Sequence, residues 1–194
     1  AGGGADLYAA NESSPTAQPS ATGTNSIAIG DSAISTGTNS FAGPKSRAQN
    51  SSTVALGINS NSSSYGALGN YSVAIGYEAK AANSWAISIG RQAISTQNES
   101  FAIGKSLASG DTSFSAQITN NTSSYGASGA NSIAMGKLAK STAGTAVAIG
   151  SKATASSTSA MSFCTSYANY GNVSSAANAL TMGDGNSASA TSAI

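Results

Sequence analysis

The side chains that perform most enzyme chemistry are scarce in this chain of 194 residues, and those present are widely separated. Histidine is absent, which removes the commonest general base and the commonest protein metal ligand. Glycine-rich phosphate-binding motifs are missing as well. We therefore predict that the protein is not an enzyme and has no cofactor or metal site. The dispersed carboxylates, none paired at a chemical spacing, are Asp6, Glu12, Asp31, Glu78, Glu99, Asp111 and Asp184.

Charge and hydropathy exclude two further classes of partner. The formal net charge is +1, which gives no electrostatic reason to bind nucleic acid or an anionic membrane. No run approaches the roughly 18 consecutive apolar residues of a membrane-spanning helix. We expect neither nucleic-acid binding nor direct membrane insertion by this segment.

Aromatic side chains are the remaining candidates for ligand contact. Trp85 is the only tryptophan, and Tyr65, Tyr125 and Tyr170 each directly precede a glycine in polar surroundings. Such residues at exposed loops commonly bind proteins or sugars. The structural alternative is that Trp85 packs against its neighbours and that the tyrosines cover an edge of the fold. Both interpretations stay open at this point.

A short phrase is repeated along most of the chain. "NSIAIGDSAIST" (25–36) returns as "YSVAIGYEAKAA", "NSIAMGKLAKST" and "TAVAIGSKATAS". With Pro44, Gln117 and Cys164 counted in the glycine position, most steps between phrases equal the step from Gly76 to Gly90 or fall just short of it. The glycines, which we predict to make structural turns, are Gly30, Gly57, Gly76, Gly90, Gly104, Gly136, Gly150 and Gly183.

Three steps are longer than the others, and these long steps share an inserted segment. Residues 57–76 match 117–136 at an offset of 60, and residues 164–183 form a looser third copy. The insertions contain the three candidate tyrosines. We expect loops that project from one side of a repetitive scaffold, which is where repeat proteins usually bind their ligands.

Within the phrase, large aliphatic residues alternate with small ones. In Ser72-Val73-Ala74-Ile75 the period is two, which indicates a short β-strand, and the following glycine permits a turn. Ala79 then begins a second small apolar segment. Two strands in each unit predict an all-β parallel solenoid whose coils stack about 4.8 Å apart. We expect the aliphatic side chains inside the coil and the Ser/Ala face against another chain.

A single coil contains few large apolar side chains and therefore buries little apolar surface. This burial barely offsets the conformational entropy that the coil loses on folding. A second buried surface shared with identical neighbours would compensate for that loss. We therefore predict an obligate oligomer.

The repeated phrases resemble the 14-residue head repeats of trimeric autotransporter adhesins, the YadA-like left-handed β-roll. The resemblance covers about residues 25–194 and rests on the number of copies. It implies a homotrimer, a role in attachment to surfaces and a head without catalytic residues. Phage tail and virion fibres use the same repeat. The resemblance therefore does not decide between a bacterial protein and a phage protein.

The chain divides into two segments. Residues 1–24 contain Pro, Ser and Thr typical of an extended linker, and residues 25–194 form the repeat domain. At Ile194 the phrase has only begun again, so we expect the solenoid to continue or to be capped by a partner.

Three functions are compatible with this organisation. The first is an extracellular attachment module on a bacterial surface or a phage particle, with a host-surface protein or glycan as ligand and other virion proteins as further partners. In the phage case the module is a tail or virion fibre protein. The second is a ligand-free structural spacer. The third, ice binding, needs a regular threonine ladder, whereas Thr36, Thr96, Thr142 and Thr154 hold no constant position in the phrase.

Overall fold

The chain winds into a parallel β-solenoid with two short strands in each coil. The computed structural model describes residues 17–60, 62–120, 122–164 and 171–193. In these ranges the odd-numbered strands form a 12-stranded sheet and the even-numbered strands an 11-stranded sheet. The predicted all-β solenoid is confirmed. Within the same ranges, no helix has the length and apolar character needed to cross a membrane.

The strands are only two to four residues long. The odd sheet contains β1 (Ser20–Ala21), β3 (Ile34–Ser35), β5 (Arg47–Ala48), β7 (Gly66–Ala67), β9 (Lys80–Ala81), β11 (Ile94–Ser95), β13 (Leu107–Ala108), β15 (Gly126–Ala127), β17 (Lys140–Ser141), β19 (Thr154–Ala155), β21 (Val173–Ser174) and β23 (Ser187–Ala188). The even sheet contains β2 (Ile27–Ala28), β4 (Phe41–Ala42), β6 (Val54–Leu56), β8 (Val73–Ile75), β10 (Ile87–Ile89), β12 (Phe101–Ile103), β14 (Phe114–Ala116), β16 (Ile133–Met135), β18 (Val147–Gly150), β20 (Met161–Cys164) and β22 (Leu180–Gly183).

The strand register reproduces the unequal steps of the sequence repeat. Phe101 pairs with Ile87 in the preceding coil and with Phe114 in the following coil, both across ordinary steps. Phe114 in turn pairs with Ile133 across a long step. Insertions therefore leave the ladder of backbone hydrogen bonds intact, because each loops out between strands.

The interior of the coil is lined by small side chains. Ser72, Ala74, Ala79 and Ala81, the inward residues of one coil, are all fully buried. The large neighbours Val73 and Ile75 point outward and are only half-buried. The expectation that the aliphatic side chains fill the coil and that the Ser/Ala face meets another chain is therefore wrong, because the two faces are reversed.

The reversal follows from the small cross-section of the coil. Sheets separated by large side chains lie about 10 Å apart, and turns as short as these do not span that distance. Small interior residues instead let the sheets approach until side chain meets backbone. The Ser88 hydroxyl donates to the Lys80 carbonyl at 2.6 Å, and the Ser95 hydroxyl donates to the Ile87 carbonyl at 2.7 Å. Both hydrogen bonds join the two sheets.

The two sheets differ on their outer faces. The even face, which is the outer face of the even sheet, presents a column of large apolar residues; in register these are Ile27, Phe41, Val54, Val73, Ile87, Phe101, Phe114, Ile133, Val147, Met161 and Leu180. The odd face, which is the outer face of the odd sheet, mixes apolar residues such as Ile94 with Arg47, Lys80 and Lys140.

The first two of the long coils contain the largest interior side chains. Ile58 and Ile118 are fully buried just after the even strands β6 and β14. Their backbone amides donate to the hydroxyl oxygens of Ser46 and Ser106, each at 3.2 Å. In these two coils an isoleucine is therefore accommodated in an interior that small side chains line elsewhere.

Candidate functional site

One position in every coil has a left-handed backbone at the corner that leads into the even sheet. We call it the corner slot. Backbone hydrogen bonds between successive corners, such as that from the Trp85 amide to the Asn70 carbonyl at 2.9 Å, keep these corners in line along the rod. In the described coils, all occupants have φ between 52° and 60°; they are Asn25, Asn39, Ser52, Tyr71, Trp85, Glu99, Thr112, Asn131, Thr145, Ser159, Asn178 and Ser192.

Two adjacent corner slots contain large aromatic residues. Tyr71 and Trp85 stack with ring centroids 5.6 Å apart and an angle of 8° between the ring planes. Each side chain remains 54% exposed. The expected candidate Trp85 therefore lies on the surface, packed on one side against a neighbouring ring. We call Tyr71 and Trp85 the aromatic pair.

The aromatic pair lies at a backbone conformation that disfavours bulky side chains. A left-handed conformation suits glycine and asparagine, whereas a bulky residue adopts it at a cost of about 1 kcal/mol or more. Four of the corner slots contain asparagine, as this preference predicts. Tyr71 at φ 57° and Trp85 at φ 56° depart from it, as do Glu99, Thr112 and Thr145.

A second set of polar and aromatic side chains lies at the turn that leaves the even sheet. The Arg91 guanidinium carbon lies 6.0 Å from the centre of the Tyr77 ring, and the Gln92 amide donates to the Glu78 carboxylate at 2.8 Å. The hydrogen bond with Glu78 and then its negative charge raise the pKa of Tyr77 above its ordinary value. We call Tyr77, Glu78, Arg91 and Gln92 the second corner.

The predicted candidates Tyr65 and Tyr125 are half-buried. Tyr65 packs against a buried cluster that includes Ala67 and Ala81, and Tyr125 packs in the same way against the cluster around Ile118. Each tyrosine directly precedes a short odd strand in a long coil. These contacts favour the alternative that both rings cover the edge of the coil.

The third candidate tyrosine, Tyr170, lies outside the described residues. Strand pairing does, however, show which residue of that coil is equivalent to Tyr65 and Tyr125. Val173 pairs with Thr154 and Ser187 as Gly126 pairs with Lys140, so Asn172 holds the tyrosine position. Asn172 is fully buried, and its amide donates to the carbonyls of Phe163 and Gly183.

The eight marker glycines all have positive φ, between 63° and 115°. At Gly76 a side-chain carbon would lie 2.8 Å from the backbone of Gly90 in the next coil. At Gly76 the left-handed backbone and the close stacking together leave little room for a side chain.

Elsewhere in the described ranges, the side chains form no apparent catalytic or metal-binding cluster. No three His, Cys, Asp or Glu side chains there come close enough to hold a metal ion. A depression of about 340 Å³ at the last described coil is lined by Leu180, Thr181, Met182, Asn186 and Ser187, none of which is titratable. Cys164 is buried.

In the part of the chain that the structure describes, the threonines form no continuous ladder. The backbone places Thr36, Thr96 and Thr142 at one position, each directly after an odd strand, so the statement that they hold no constant position is wrong for these three. Intervening coils have Gln49, Leu68 and other residues there, which breaks the regular lattice that ice binding needs.

Sequence reasoning missed Tyr71. The signal was present, because the step from Tyr71 to Trp85 equals the step from Gly76 to Gly90, the commonest of the repeat. Placing every residue in its repeat position, rather than only the glycines, would have revealed the aromatic pair.

Comparison with known families agrees with the fold. The family described as YadA head domain repeat (2 copies) matches residues 21–42, 48–79, 67–84, 86–106 and 127–153. These segments together include more than half of the chain; they contain the second corner and Tyr71, and Trp85 lies between two of them. No curated protein matches the chain.

Proposed function

The chain belongs to the family of YadA head domain repeats, and on that premise we propose that it is an extracellular, homotrimeric attachment module displayed on a bacterial outer surface or on a phage particle. The family is of a structural, non-enzymatic kind and is trimeric in general terms. Its adhesin character suggests display on a surface. The proposed ligand is a protein or glycan on a host surface.

The uncovered even face is the observation that supports the trimer. Its apolar column runs over 11 strands, which corresponds to a length of roughly 50 Å at the usual spacing between strands. Ile89 is 38% exposed and Met182 is 63% exposed in the single chain. Apolar stripes of this length on a soluble protein usually mark an interface. In the proposed trimer, three even faces meet along a common axis.

This arrangement determines which surfaces are left for a ligand. The odd face, with Arg47, Lys80 and Lys140, contains cations and therefore faces water. The turns and corners between the sheets lie at the periphery. Attachment therefore relies on corner and loop side chains rather than on the sheets that build the rod.

A ligand-free spacer is the second candidate function. It is favoured by the small polar residues, Asn, Ser and Thr, that hold most corner slots and offer few anchors to a ligand. Whether the protein is a bacterial adhesin or a phage tail or virion fibre is a separate question, because the repeat suits both. The genes that neighbour this one distinguish the two.

Two measurements test the proposal. Multi-angle light scattering of the purified chain should give three times the mass of one chain, which is 18.7 kDa. The labelled protein should also bind to the surface of at least one cell type in a panel of bacterial and animal cells. A folded monomer would contradict the trimer, and a trimer that binds none of the cells would favour the spacer.

A further inference from the structure

The aromatic pair is confined to two adjacent coils. In the other described coils the same corner slot contains Asn, Ser, Thr or, at residue 99, Glu. A packing role common to all coils would require an aromatic residue in many of these slots. The fold itself therefore does not require Tyr71 or Trp85.

The backbone conformation strengthens this conclusion. Tyr71 has φ 57° and Trp85 has φ 56°, where asparagine or glycine is favoured over a bulky side chain. Residues held in such sparsely populated conformations cluster at ligand sites. Every corner slot has this backbone, so Tyr71 and Trp85 are distinguished by placing large, exposed rings where a small residue is favoured.

The aromatic pair also offers contact surface. Because the rings are stacked, each covers one face of the other, and the 54% exposure of each side chain leaves the second face accessible. Ser52 lies in the preceding corner slot and Glu99 in the following one, and both are exposed. Two open aromatic faces are thus flanked by a hydroxyl and a carboxylate.

The size of the surface selects the class of ligand. Two partly exposed aromatic side chains offer an area on the order of 200 Å². A stable protein–protein interface uses about 800 Å² on each partner, and the small polar residues along the corner add no further anchors. A single sugar ring, by contrast, is covered by surfaces of this extent.

We propose that the aromatic pair binds a neutral hexopyranose at the end of a surface glycan. The C–H groups on one side of the sugar ring stack on the negative face of an aromatic ring. A sugar ring stacked on Trp85 lies on the side of Glu99, whose carboxylate accepts hydrogen bonds from the sugar hydroxyls, whereas a ring stacked on Tyr71 lies on the side of Ser52, whose hydroxyl exchanges hydrogen bonds with them. The biological role of this site depends on the proposed attachment function, but sugar binding itself can be measured without it.

The fluorescence of the protein can report on the site, and the residues at equivalent positions in other coils indicate suitable substitutions. Trp85 is the only tryptophan, so its fluorescence reports directly on the site. Asparagine occupies the same slot in four other coils, so Tyr71→Asn and Trp85→Asn retain a favourable backbone. Tyr77→Ser is the matched control, because it removes an exposed tyrosine from the second corner and Ser151 holds the equivalent position.

The experiment uses the full chain on an array of glycans with neutral and acidic ends. Trp85 fluorescence is then titrated with methyl galactopyranoside and methyl glucopyranoside. We expect wild type to bind glycans with neutral hexose ends and to show a saturable change in fluorescence. The array signal of the Tyr71→Asn/Trp85→Asn variant should be at least about tenfold lower than that of wild type, and Tyr77→Ser should retain the wild-type signal.

Two results would overturn the inference. These are no binding of wild type to any neutral glycan, and equal binding by the double asparagine variant.

Cell attachment separates this inference from the proposed function. If the double variant loses glycan binding but still attaches to cells as wild type does, the sugar site and the attachment function both stand, and attachment uses another surface. If the double variant keeps glycan binding and cell attachment, the sugar site is refuted and the attachment function stands. If wild type binds glycans but attaches to no cell, the sugar site stands and the attachment function is refuted.

Discussion

The even and odd sheets share one interior but present different outer faces. Ala74 of the even sheet and Ala81 of the odd sheet are both fully buried in the same narrow core. Outside, the even sheet presents Val73 and Ile75, whereas the odd sheet presents Lys80. The interior is therefore set by the cross-section of the coil, and the exteriors are set by what each sheet meets.

This contrast explains how so simple a repeat encodes an assembly. In most globular domains, large apolar side chains fill the interior of the chain that carries them. Here the interior has room mainly for Ala and Ser, and the large residues of the even face are left for contacts between chains. Folding and association are consequently coupled in the proposed trimer.

The largest effect is expected from a charge on the even face. Ile89→Asp places three carboxylates at the proposed axis of the trimer, and burial of unpaired charge costs several kcal/mol for each one. We expect light scattering to show loss of the trimeric species, whose mass is three times the 18.7 kDa of one chain. Ile94→Asp, on the odd face, is the control and should remain trimeric. Loss of the trimer in both variants, or in neither, would remove the distinction between the faces.

A somewhat smaller effect is expected from a larger side chain in the interior. Ala74→Leu inserts a bulky group into a fully buried position and should destabilise each chain by about 3 kcal/mol or more. Val73→Leu, the adjacent outward residue, should change stability by less than about 1.5 kcal/mol. Denaturant unfolding compares the two variants. Equal losses would mean that the interior is not limited by its width.

The turn that joins the sheets should show an intermediate effect. Gly90 has φ 108°, and a side-chain carbon there would lie 2.9 Å from the Gly104 nitrogen. Gly57 has φ 63° and nothing within 4 Å of that position. Gly90→Ala should therefore lower stability by about 2 kcal/mol and Gly57→Ala by about 1 kcal/mol. Thermal unfolding that ranks Gly57→Ala as the more harmful change would contradict the role assigned to close stacking.

The smallest effect is expected at the second corner, which belongs to neither face. Hydrogen bonding to Glu78 raises the pKa of Tyr77 above the ordinary value of 10.0. The stability that this hydrogen bond contributes is therefore present below pH 10.0 and is lost as the pH rises through the raised pKa. Glu78→Gln should return the pKa of Tyr77 toward that ordinary value. Ultraviolet titration of tyrosinate, with Tyr77→Phe subtracted as background, measures the change. An unaltered titration curve would exclude Glu78 as the cause.

Several features of the fold could be predicted because they depend on local repetition. The step from Gly136 to Gly150 is the step between paired strands, even where Cys164 replaces the glycine. Parallel pairing follows from such a repeat, since equivalent residues of successive coils stack upon each other. The candidate site was only half predicted, because Trp85 was recognised from its type and Tyr71 was not.

The sequence by itself determined the number, length and order of the coils, because each repeat specifies its own strands and turns. The tertiary structure alone decided which face of each strand turns inward. The alternation of small and large residues in Ser72-Val73-Ala74-Ile75 is compatible with either face turning inward. Only the short distance between the two sheets excludes the large residues from the interior. It also decided that Asn172 replaces a tyrosine and that Tyr71 meets Trp85, since both depend on register between residues distant in sequence.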